Sequence, residues 1–370
     1  MVSDICKGER SNTRLRLLMS RRSVQGITRG AIAEVQPGIK KVAASQTDEI
    51  AQALWYVGPG RAEIRAEKLA PLGADEVRVR TLFGAFSRGT EALVLGGRVP
   101  ESEFIRMRSP FMGGHFPFPV KYGYSTVGRI EAGPGSLIGR NVFVLHPHQS
   151  LFDVPSNAAV TLPDDVPPAR AVLAANMETA LNALWDAEPL PAGHIAVVGA
   201  GVVGGLVGYL CRRLAGAEVT LVDINPARAE LARKLGMSFA APEAAPADCG
   251  LVFHASGTAA GLATALSLAD FEASVLELSW YDDAEVPVPL GGAFHSRRLR
   301  LISSQVGHIA PSHRAGWTHH RRLTEAAALL TDPRLDALLA PAVAFRDLPA
   351  RLPDILNAKN GVLCQLIDYA

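Results

Sequence analysis

The sequence contains one glycine-rich turn and one carboxylate whose spacing is typical of a nucleotide site. Residues 197–204 carry the pattern Gly-x-Gly-x-x-Gly, and Asp223 ends the next apolar segment. Between a strand and a helix, such glycines let backbone amides approach a pyrophosphate at the helix N-terminus, and the acid binds the adenosine ribose. The alternative is an ordinary glycine-rich turn that packs a helix on a sheet. The residues predicted to bind the dinucleotide are Gly199, Gly201, Val202, Val203, Gly204 and Asp223.

Asp223 also predicts which dinucleotide binds. A carboxylate favours a free ribose 2′-hydroxyl and repels a 2′-phosphate, so we expect NAD rather than NADP. Arg228 in the following turn can soften this preference, but we expect it to cover the adenine or to face solvent. Ligands of open α/β sheets collect beyond the carboxyl ends of the strands. This rule predicts Ser256, Gly257 and Trp280 near the ribose and nicotinamide, although Trp280 is equally compatible with a core position.

The elements around the glycine turn alternate between strand and helix. Residues 195–198 are a predicted buried strand, and Leu206, Leu210 and Leu214 give the helical period that follows. Predicted strands continue at 219–222, 251–255, 274–278 and 299–303, with helices at 226–235 and 261–268. This alternation favours the α/β class with a doubly wound parallel sheet, the Rossmann arrangement.

The remainder of the chain is rich in predicted strands. They cover 54–57, 62–65, 76–83, 125–132 and 141–145, and a helix at 168–187 connects them to the glycine turn. The tail has a predicted helix at 348–356 and an apolar strand at 362–367. We expect that last strand to rejoin the β-rich domain.

Composition limits the classes of function. The chain has 370 residues, enough for two domains, and a formal net charge of +1, which argues against nucleic acid and membrane partners. Its four cysteines lack the spacing of a disulfide framework or a zinc knuckle, which suits a cytoplasmic location. No apolar run is long enough to span a bilayer. Residues 1–48 are predicted to be a disordered or mistranslated leader, with a transit peptide or a regulatory tail as alternatives.

The order of a β-rich domain, a linking helix, a Rossmann domain and a C-terminal return resembles the medium-chain dehydrogenase/reductases over residues 52–369. The resemblance implies a GroES-like catalytic domain at 49–187, a Rossmann NAD-binding domain at 188–320 and a return at 321–370 that completes the catalytic domain. Zinc members of this family have their metal ligands where this chain has Ser87, Tyr124 and Ala175, which cannot build a zinc site, so we expect no metal. Residues 87–91 and 121–125 are similar to a zinc-free branch that includes bacteriochlorophyllide dehydrogenase.

The resemblance implies an oxidoreductase that moves a hydride between NAD(H) and a small carbonyl, alcohol or activated alkene. Tyr124 and Ser87 stand at the ligand positions, where hydrogen-bond donors can replace a Lewis acid at the reacting oxygen. Lys121 or Arg88 is expected to lower the pKa of Tyr124 or to hold an anionic group. Arg88 equally matches an arginine that touches the cofactor pyrophosphate, and Tyr124 can instead pack between the domains.

Other polar residues have simpler expected roles. Glu91 is predicted to form an ion pair with the arginine three residues before it, and Glu178 to be exposed on its helix. His146 and His148 lack a third ligand, so we interpret them as a loop pair rather than a metal site. The histidine- and arginine-rich residues 308–322 are expected to be a solvated face, with phosphate binding as the alternative.

A second class of function stays open. A protein that kept the nucleotide fold but lost the ligand positions can act as a non-catalytic sensor or structural protein. Catalysis is favoured because polar donors, rather than aliphatic residues, occupy the first two positions. The expected partner is a small-molecule substrate, and the resemblance implies a homodimer formed through the edge of the Rossmann sheet.

Overall fold

The computed structural model of the chain describes residues 49–188, 193–281, 284–357 and 360–370. Within these residues the strands form three sheets, of four, six and seven strands. The predicted leader at 1–48 lies outside the described residues. Across the described ranges, no helix combines the length and the apolar character that a membrane crossing requires.

The β-rich part comes first in the chain. The seven-stranded sheet has the order β16-β17-β3-β6-β7-β9 with β8 on β3, and the four-stranded sheet has the order β2-β1-β5-β4. The strands are β1 (Ile50–Gly58), β2 (Arg61–Lys68), β3 (Glu76–Ala85), β4 (Gly113–Gly114), β5 (Val120–Lys121), β6 (Thr126–Ala132), β7 (Asn141–Val144), β8 (Leu151–Pro155) and β9 (Val160–Thr161), and the helices are α1 (Arg88–Gly96), α2 (Pro168–Ala171) and α3 (Ala174–Ala187).

The six-stranded sheet is entirely parallel and carries the glycine turn. Its order, β12-β11-β10-β13-β14-β15, is the 3-2-1-4-5-6 order of a doubly wound dinucleotide fold, which confirms the predicted fold class. Its strands are β10 (Gly193–Val198), β11 (Ala217–Val222), β12 (Ser238–Ala240), β13 (Cys249–His254), β14 (Ala269–Glu277) and β15 (Arg300–Ser303), and its helices are α4 (Val202–Cys211), α5 (Arg228–Leu235) and α6 (Ala259–Leu268).

The C-terminal residues return to the β-rich part. They form α7 (His319–Ala328), β16 (Leu339–Ala344), α8 (Leu348–Ile355) and β17 (Cys364–Asp368). Strand β17 pairs antiparallel with β3, with Leu366 opposite Ala85. The prediction that the last strand rejoins the first domain is therefore confirmed.

The linking helix differs from its prediction as one continuous element. It is divided into α2 and α3, because the Leu173 amide donates to the Arg170 carbonyl three residues back and tightens the backbone into a 3₁₀ turn. Helix α3 then packs on α4 and α7, with Met177 and Leu206 buried between the layers. This core fixes the Rossmann sheet against the β-rich part.

Register brings the ends of the parallel strands to one edge. Val198 pairs with Val222 on one side and with His254 on the other, and the row continues through Glu277 to Ser303. The loops that follow β10, β11, β13, β14 and β15 all begin at this row. The fold therefore gathers five loops at the edge where doubly wound sheets bind ligands.

Candidate functional site

Each glycine of the turn after β10 has a distinct steric role. Gly199 has φ +105°, and a Cβ there would lie 2.6 Å from the Ser256 amide nitrogen. A Cβ at Gly204 would lie 1.9 Å from the Gly199 carbonyl oxygen, so only glycine lets α4 pack so closely on the turn. A Cβ at Gly201, in contrast, would meet nothing within 4 Å. The first and third glycines serve packing, and the second leaves the space that a pyrophosphate needs.

The first turn of α4 presents unpaired amides beside that space. Gly201 is the N-cap residue and supplies no side-chain cap, and Val202 and Val203 form the first turn. Amides in a first helical turn have no intrahelical acceptor and attract anions. Both valines are half-buried against the main core, so their backbone, rather than their side chains, is available to a ligand.

The Asp223 carboxylate lies directly beside the glycine turn. One oxygen accepts from the Ala200 amide at 2.8 Å, and the other accepts from the Asn225 amide at 2.8 Å. These bonds fix the carboxylate at the end of β11, where a ribose hydroxyl would reach it. The next residue, Ile224, is 87% exposed and places an apolar side chain beside the acid. Sequence reasoning did not single out Ile224.

Arg88 and Arg228 approach each other, although one belongs to α1 and the other to α5. Arg88 donates to the Asn357 carbonyl at 2.9 Å, and Arg228 donates to the Gly361 carbonyl at 2.8 Å. Burial and the charge of Arg228 lower the pKa of Arg88, and the buried Arg88 Nε has no hydrogen-bond partner among the described residues. Two neighbouring cations with an unsatisfied buried donor fit an anionic ligand, and phosphate oxygens are suitable acceptors.

Tyr124 and Ser87 come together, and Thr90 joins them. The Tyr124 hydroxyl donates to Thr90 Oγ1 at 3.2 Å, and the Ser87 side chain lies close enough to lower the pKa of the phenol. Burial raises the pKa of Tyr124, while the two hydroxyls act in the opposite direction. Tyr124 packs against the apolar clusters of both parts of the chain. The phenol is therefore protonated at neutral pH and is a hydrogen-bond donor rather than a base.

Glu91 lies behind this group of hydroxyls and is fully buried. Its carboxylate accepts from the Tyr56 hydroxyl at 2.7 Å and the Ser87 amide at 2.9 Å, and His148 Nε2 lies 2.9 Å from it. The predicted ion pair between Glu91 and Arg88 is wrong, because Glu91 faces inward from α1 whereas Arg88 reaches toward Asn357. Glu91 instead anchors the first turn of α1, from which Ser87 and Thr90 project.

Lys121 lies apart from the Tyr124 phenol. Its ammonium donates to Glu67 Oε2 at 2.6 Å and to Gln149 Oε1 at 2.7 Å, on the four-stranded sheet. Lys121 is not among the groups that shift the pKa of Tyr124. The expectation that Lys121 lowers this pKa is not supported, because the lysine already has its own carboxylate partner.

The loops after β13 and β14 contain the other nominated cofactor neighbours. Ser256 bonds to His254 and Thr258, and the Gly257 amide donates to Ser279 Oγ at 3.0 Å. Trp280 is 43% exposed, which removes the core alternative for this side chain.

Arg322 holds the loop after β15 from inside the protein. Its guanidinium is 1% exposed and donates to Glu178 Oε1 at 3.0 Å and to the carbonyls of Val306 and His308. Two predictions are wrong here: Glu178 is buried rather than exposed, and Arg322 is not part of a solvated face. The two side chains neutralise each other's charge. A prediction of exposure made from one residue type alone cannot anticipate such a pair.

The histidine pair is buried, and no metal is indicated there. His146 stacks on Phe152 with ring centroids 3.7 Å apart, and burial lowers the pKa of His146 to about 3. Within the described ranges, no three His, Cys, Asp or Glu residues are grouped as metal ligands. Ser87, Tyr124 and Ala175 likewise do not fit a zinc ion, which prefers thiolate, imidazole and carboxylate ligands. We therefore derive no chemical step through zinc.

Comparison with known proteins finds relatives that match parts of this chain. Residues 195–249 match the family model described as ketopantoate reductase PanE/ApbA. An L-threonine 3-dehydrogenase of Sinorhizobium fredii is 34% identical over 84 residues, 23% of this chain and 24% of the relative. An uncharacterized zinc-type alcohol dehydrogenase-like protein of Haemophilus influenzae is 24% identical over 229 residues, 58% of this chain and 63% of the relative. The chain thus spans about a quarter of the first relative's length and under two thirds of the second's.

Solved structures extend the likeness to nearly the whole described chain. An alcohol dehydrogenase from E. coli CFT073, solved with NADH, superposes with a TM-score of 0.69 at 15% identity and covers 86% of this chain and 99% of that one. This chain therefore shares the fold of that alcohol dehydrogenase, in which a doubly wound parallel sheet is joined to a β-rich part. The predicted pairing of a Rossmann sheet with a GroES-like β-rich part is thereby confirmed. The arginine pair brings residues of the two parts together, since Arg88 of α1 lies close enough to Arg228 of α5 for their charges to interact.

Proposed function

We propose that the protein is an oxidoreductase that transfers a hydride between NAD(H) and a small carbonyl, alcohol or activated alkene. The observation that carries this proposal is the Asp223 carboxylate, held 2.8 Å from the Ala200 amide inside a glycine turn with open space at Gly201. When bound, the nicotinamide supplies or accepts the hydride. Gly199 to Gly204 and the first turn of α4 would hold the pyrophosphate, and Asp223 the adenosine ribose.

Arg88 and Arg228 complete the proposed cofactor site. They belong to different parts of the fold, and Arg88 donates to the Asn357 carbonyl whereas Arg228 donates to the Gly361 carbonyl. A diphosphate between them would relieve their mutual repulsion and satisfy the buried Arg88 Nε. NAD is proposed over NADP because the Asp223 carboxylate would repel a 2′-phosphate.

The hydroxyls of Tyr124, Ser87 and Thr90 are proposed to bind the reacting oxygen. A half-buried phenol with a raised pKa donates a hydrogen bond and keeps its proton at neutral pH. Preorganised donors of this kind stabilise charge that develops on an oxygen in the transition state. Glu91 acts at one remove, since it fixes the Ser87 amide and the turn that carries Thr90. The zinc-independent mode of action is part of this proposal, and so is the similarity to the branch that includes bacteriochlorophyllide dehydrogenase.

The hydroxyl assignment is tested by two substitutions. Tyr124→Phe and Ser87→Ala are each expected to lower turnover at least about tenfold, which is a loss of about 1.4 kcal/mol in the barrier. The measurement is single-turnover NADH oxidation with a panel of aldehydes, quinones, enones and sugar ketones. Tyr122→Phe is the matched control, because it removes a buried phenol oxygen that donates to the Met107 carbonyl and, among the described residues, has no other hydrogen-bond partner. If both site variants stay within threefold of the wild type, the assignment is wrong.

The second candidate function is a nucleotide-binding sensor without turnover. Calorimetric binding of NADH combined with no oxidation of any substrate class in the panel would favour it. Absence of NADH binding at millimolar concentrations would overturn both candidates, since each depends on the glycine turn and Asp223.

A further inference from the structure

Three side chains at the carboxyl edge of the Rossmann sheet form a continuous hydrogen-bonded row. Ser256 Oγ lies 2.6 Å from His254 Nε2, and His254 Nδ1 lies 2.7 Å from Glu277 Oε2. His254 ends β13, Glu277 ends β14, and the two are neighbours in register. A hydroxyl, an imidazole and a carboxylate in this order and at these distances are the geometry of an activated serine nucleophile.

The surrounding bonds determine which atom donates. Burial alone would raise the pKa of Glu277, but its bonds with His254 and Ser279 bring that pKa below its ordinary value, so the carboxylate can only accept. The Tyr281 hydroxyl also donates to Glu277 Oε2, at 3.0 Å. His254 Nδ1 must then carry a proton, and in a ring with one proton Nε2 is the acceptor for the Ser256 hydroxyl. The serine is thus hydrogen-bonded to a base whose tautomer is fixed.

Packing shields the base and leaves the serine nearer the surface. His254 is fully buried, the Glu277 side chain is 14% exposed, and Ser256 is half-buried. Thr258 Oγ1 accepts from the Gly261 amide and lies 3.0 Å from Ser256 Oγ. A Cβ at residue 261 would come within 2.0 Å of Ser256 Oγ, so glycine at this position of α6 is what admits the hydroxyl.

A second serine and histidine provide an internal comparison. Ser312 Oγ lies 2.9 Å from His313 Nδ1, but this ring stacks on Trp185 and has no carboxylate bonded to it among the contacts of the described residues. The Ser312 hydroxyl also donates to the Trp185 carbonyl. The pair therefore lacks the third group that fixes a tautomer, and it serves as a matched control.

We propose that Ser256 is a nucleophile that accepts acyl groups from small activated esters, with His254 as its base and Glu277 as the group that orients the base. As Ser256 Oγ bonds to the ester carbonyl carbon, its proton passes to His254 Nε2. The bond to the leaving alcohol then breaks, and the alcohol takes that proton. Water repeats the sequence on the acyl-serine, releasing a carboxylic acid and restoring the hydroxyl. This activity goes beyond the proposed hydride transfer and requires no redox partner.

The test uses the full-length protein with a fluorophosphonate probe and with p-nitrophenyl acetate. We expect stoichiometric labelling, located at Ser256 by peptide mass spectrometry, and ester hydrolysis that falls at least tenfold in Ser256→Ala and His254→Gln. Ser312→Ala should leave both readouts unchanged. Gly261→Ala should also abolish labelling although it alters none of the three side chains. Glu277→Gln should lower the hydrolysis rate and shift its pH profile, because the amide no longer fixes the protonated Nδ1.

The outcomes separate this proposal from the dehydrogenase function. Because the row lies at the edge where the cofactor is proposed to bind, NADH should slow labelling; labelling that NADH does not affect would locate the reactive serine away from the cofactor and contradict this placement. Labelling at Ser256 without any NADH binding would support the nucleophile and overturn the proposed oxidoreductase. An unlabelled Ser256 in a folded protein that binds NADH would overturn the nucleophile, and a change in NADH affinity alone in Ser256→Ala would assign the row to cofactor positioning.

Discussion

Removing the buried Arg322 guanidinium is expected to destabilise the fold strongly. Arg322 is 1% exposed and pairs with Glu178, whose side chain is 8% exposed. In Arg322→Met the carboxylate keeps its burial and loses its cation, a situation that costs about 3 to 5 kcal/mol in comparable buried pairs. The Val306 and His308 carbonyls also lose a donor, so the loop after β15 should loosen.

The assay is denaturant unfolding of Arg322→Met, Glu178→Met and the double variant. Since methionine at both positions removes the uncompensated charge, the double variant should recover at least half of the loss. Burial raises the pKa of Glu178, and without Arg322 to oppose it that pKa rises further. The folded state then binds a proton that the unfolded state releases, so the deficit of Arg322→Met should shrink as pH falls toward the ordinary carboxyl range. A loss below about 1 kcal/mol, or one that does not change with pH, would refute the reasoning.

Three further predictions concern the glycine turn, Asp223 and the buried His146. Gly204→Ala should abolish NADH binding measured by calorimetry, because the new Cβ would lie 1.9 Å from the Gly199 carbonyl oxygen; unchanged affinity would contradict the packing role of this glycine. Asp223→Ser should weaken NADH binding and strengthen NADPH binding, so that the ratio of their affinities moves at least tenfold, and an unmoved ratio would show that the acid does not select the cofactor. His146→Gln should make the free energy of unfolding fall less steeply in acid. Burial lowers the pKa of His146 to about 3, so below pH 6.5 the unfolded chain binds a proton that the folded protein does not, and this costs the wild type about 3 kcal/mol of stability at pH 4. Equal acid sensitivity of the two proteins would contradict this prediction.

The fold was predictable from sequence because its signals are local and periodic. The strand before the glycine turn, predicted at 195–198, lies within Gly193–Val198, and the helix predicted at 261–268 lies within Ala259–Leu268. Helix α1 (Arg88–Gly96) was missed, because its first residues belong to the motif used for the family resemblance. It ends at Gly97, whose φ of +65° allows a left-handed C-cap. Strand β16 was missed as well, because Pro341 interrupts its apolar pattern.

The polar partners around the site could not be predicted in the same way. Glu91 was assigned to its sequence neighbour, yet its partners Tyr56 and His148 are 35 and 57 residues away along the chain. Glu178 and Arg322 are 144 residues apart and become a pair only when α3 and α7 pack. Sequence reveals that a residue is charged, but burial decides whether it must find a partner, and burial is a property of the assembled layers.

The buried side chains of Glu91 and Arg322 explain how a site built from loops can be precise. Glu91 fixes the turn that presents Ser87 and Thr90, and Arg322 fixes the carbonyls of the loop after β15. Neither side chain needs to touch a ligand. Each holds a backbone segment through hydrogen bonds in the protein interior, where the low dielectric constant strengthens them. Binding energy that would otherwise order these segments is then available for the reacting groups. Substitutions of Glu91 or Arg322 should therefore impair turnover even where every residue of the proposed site is intact.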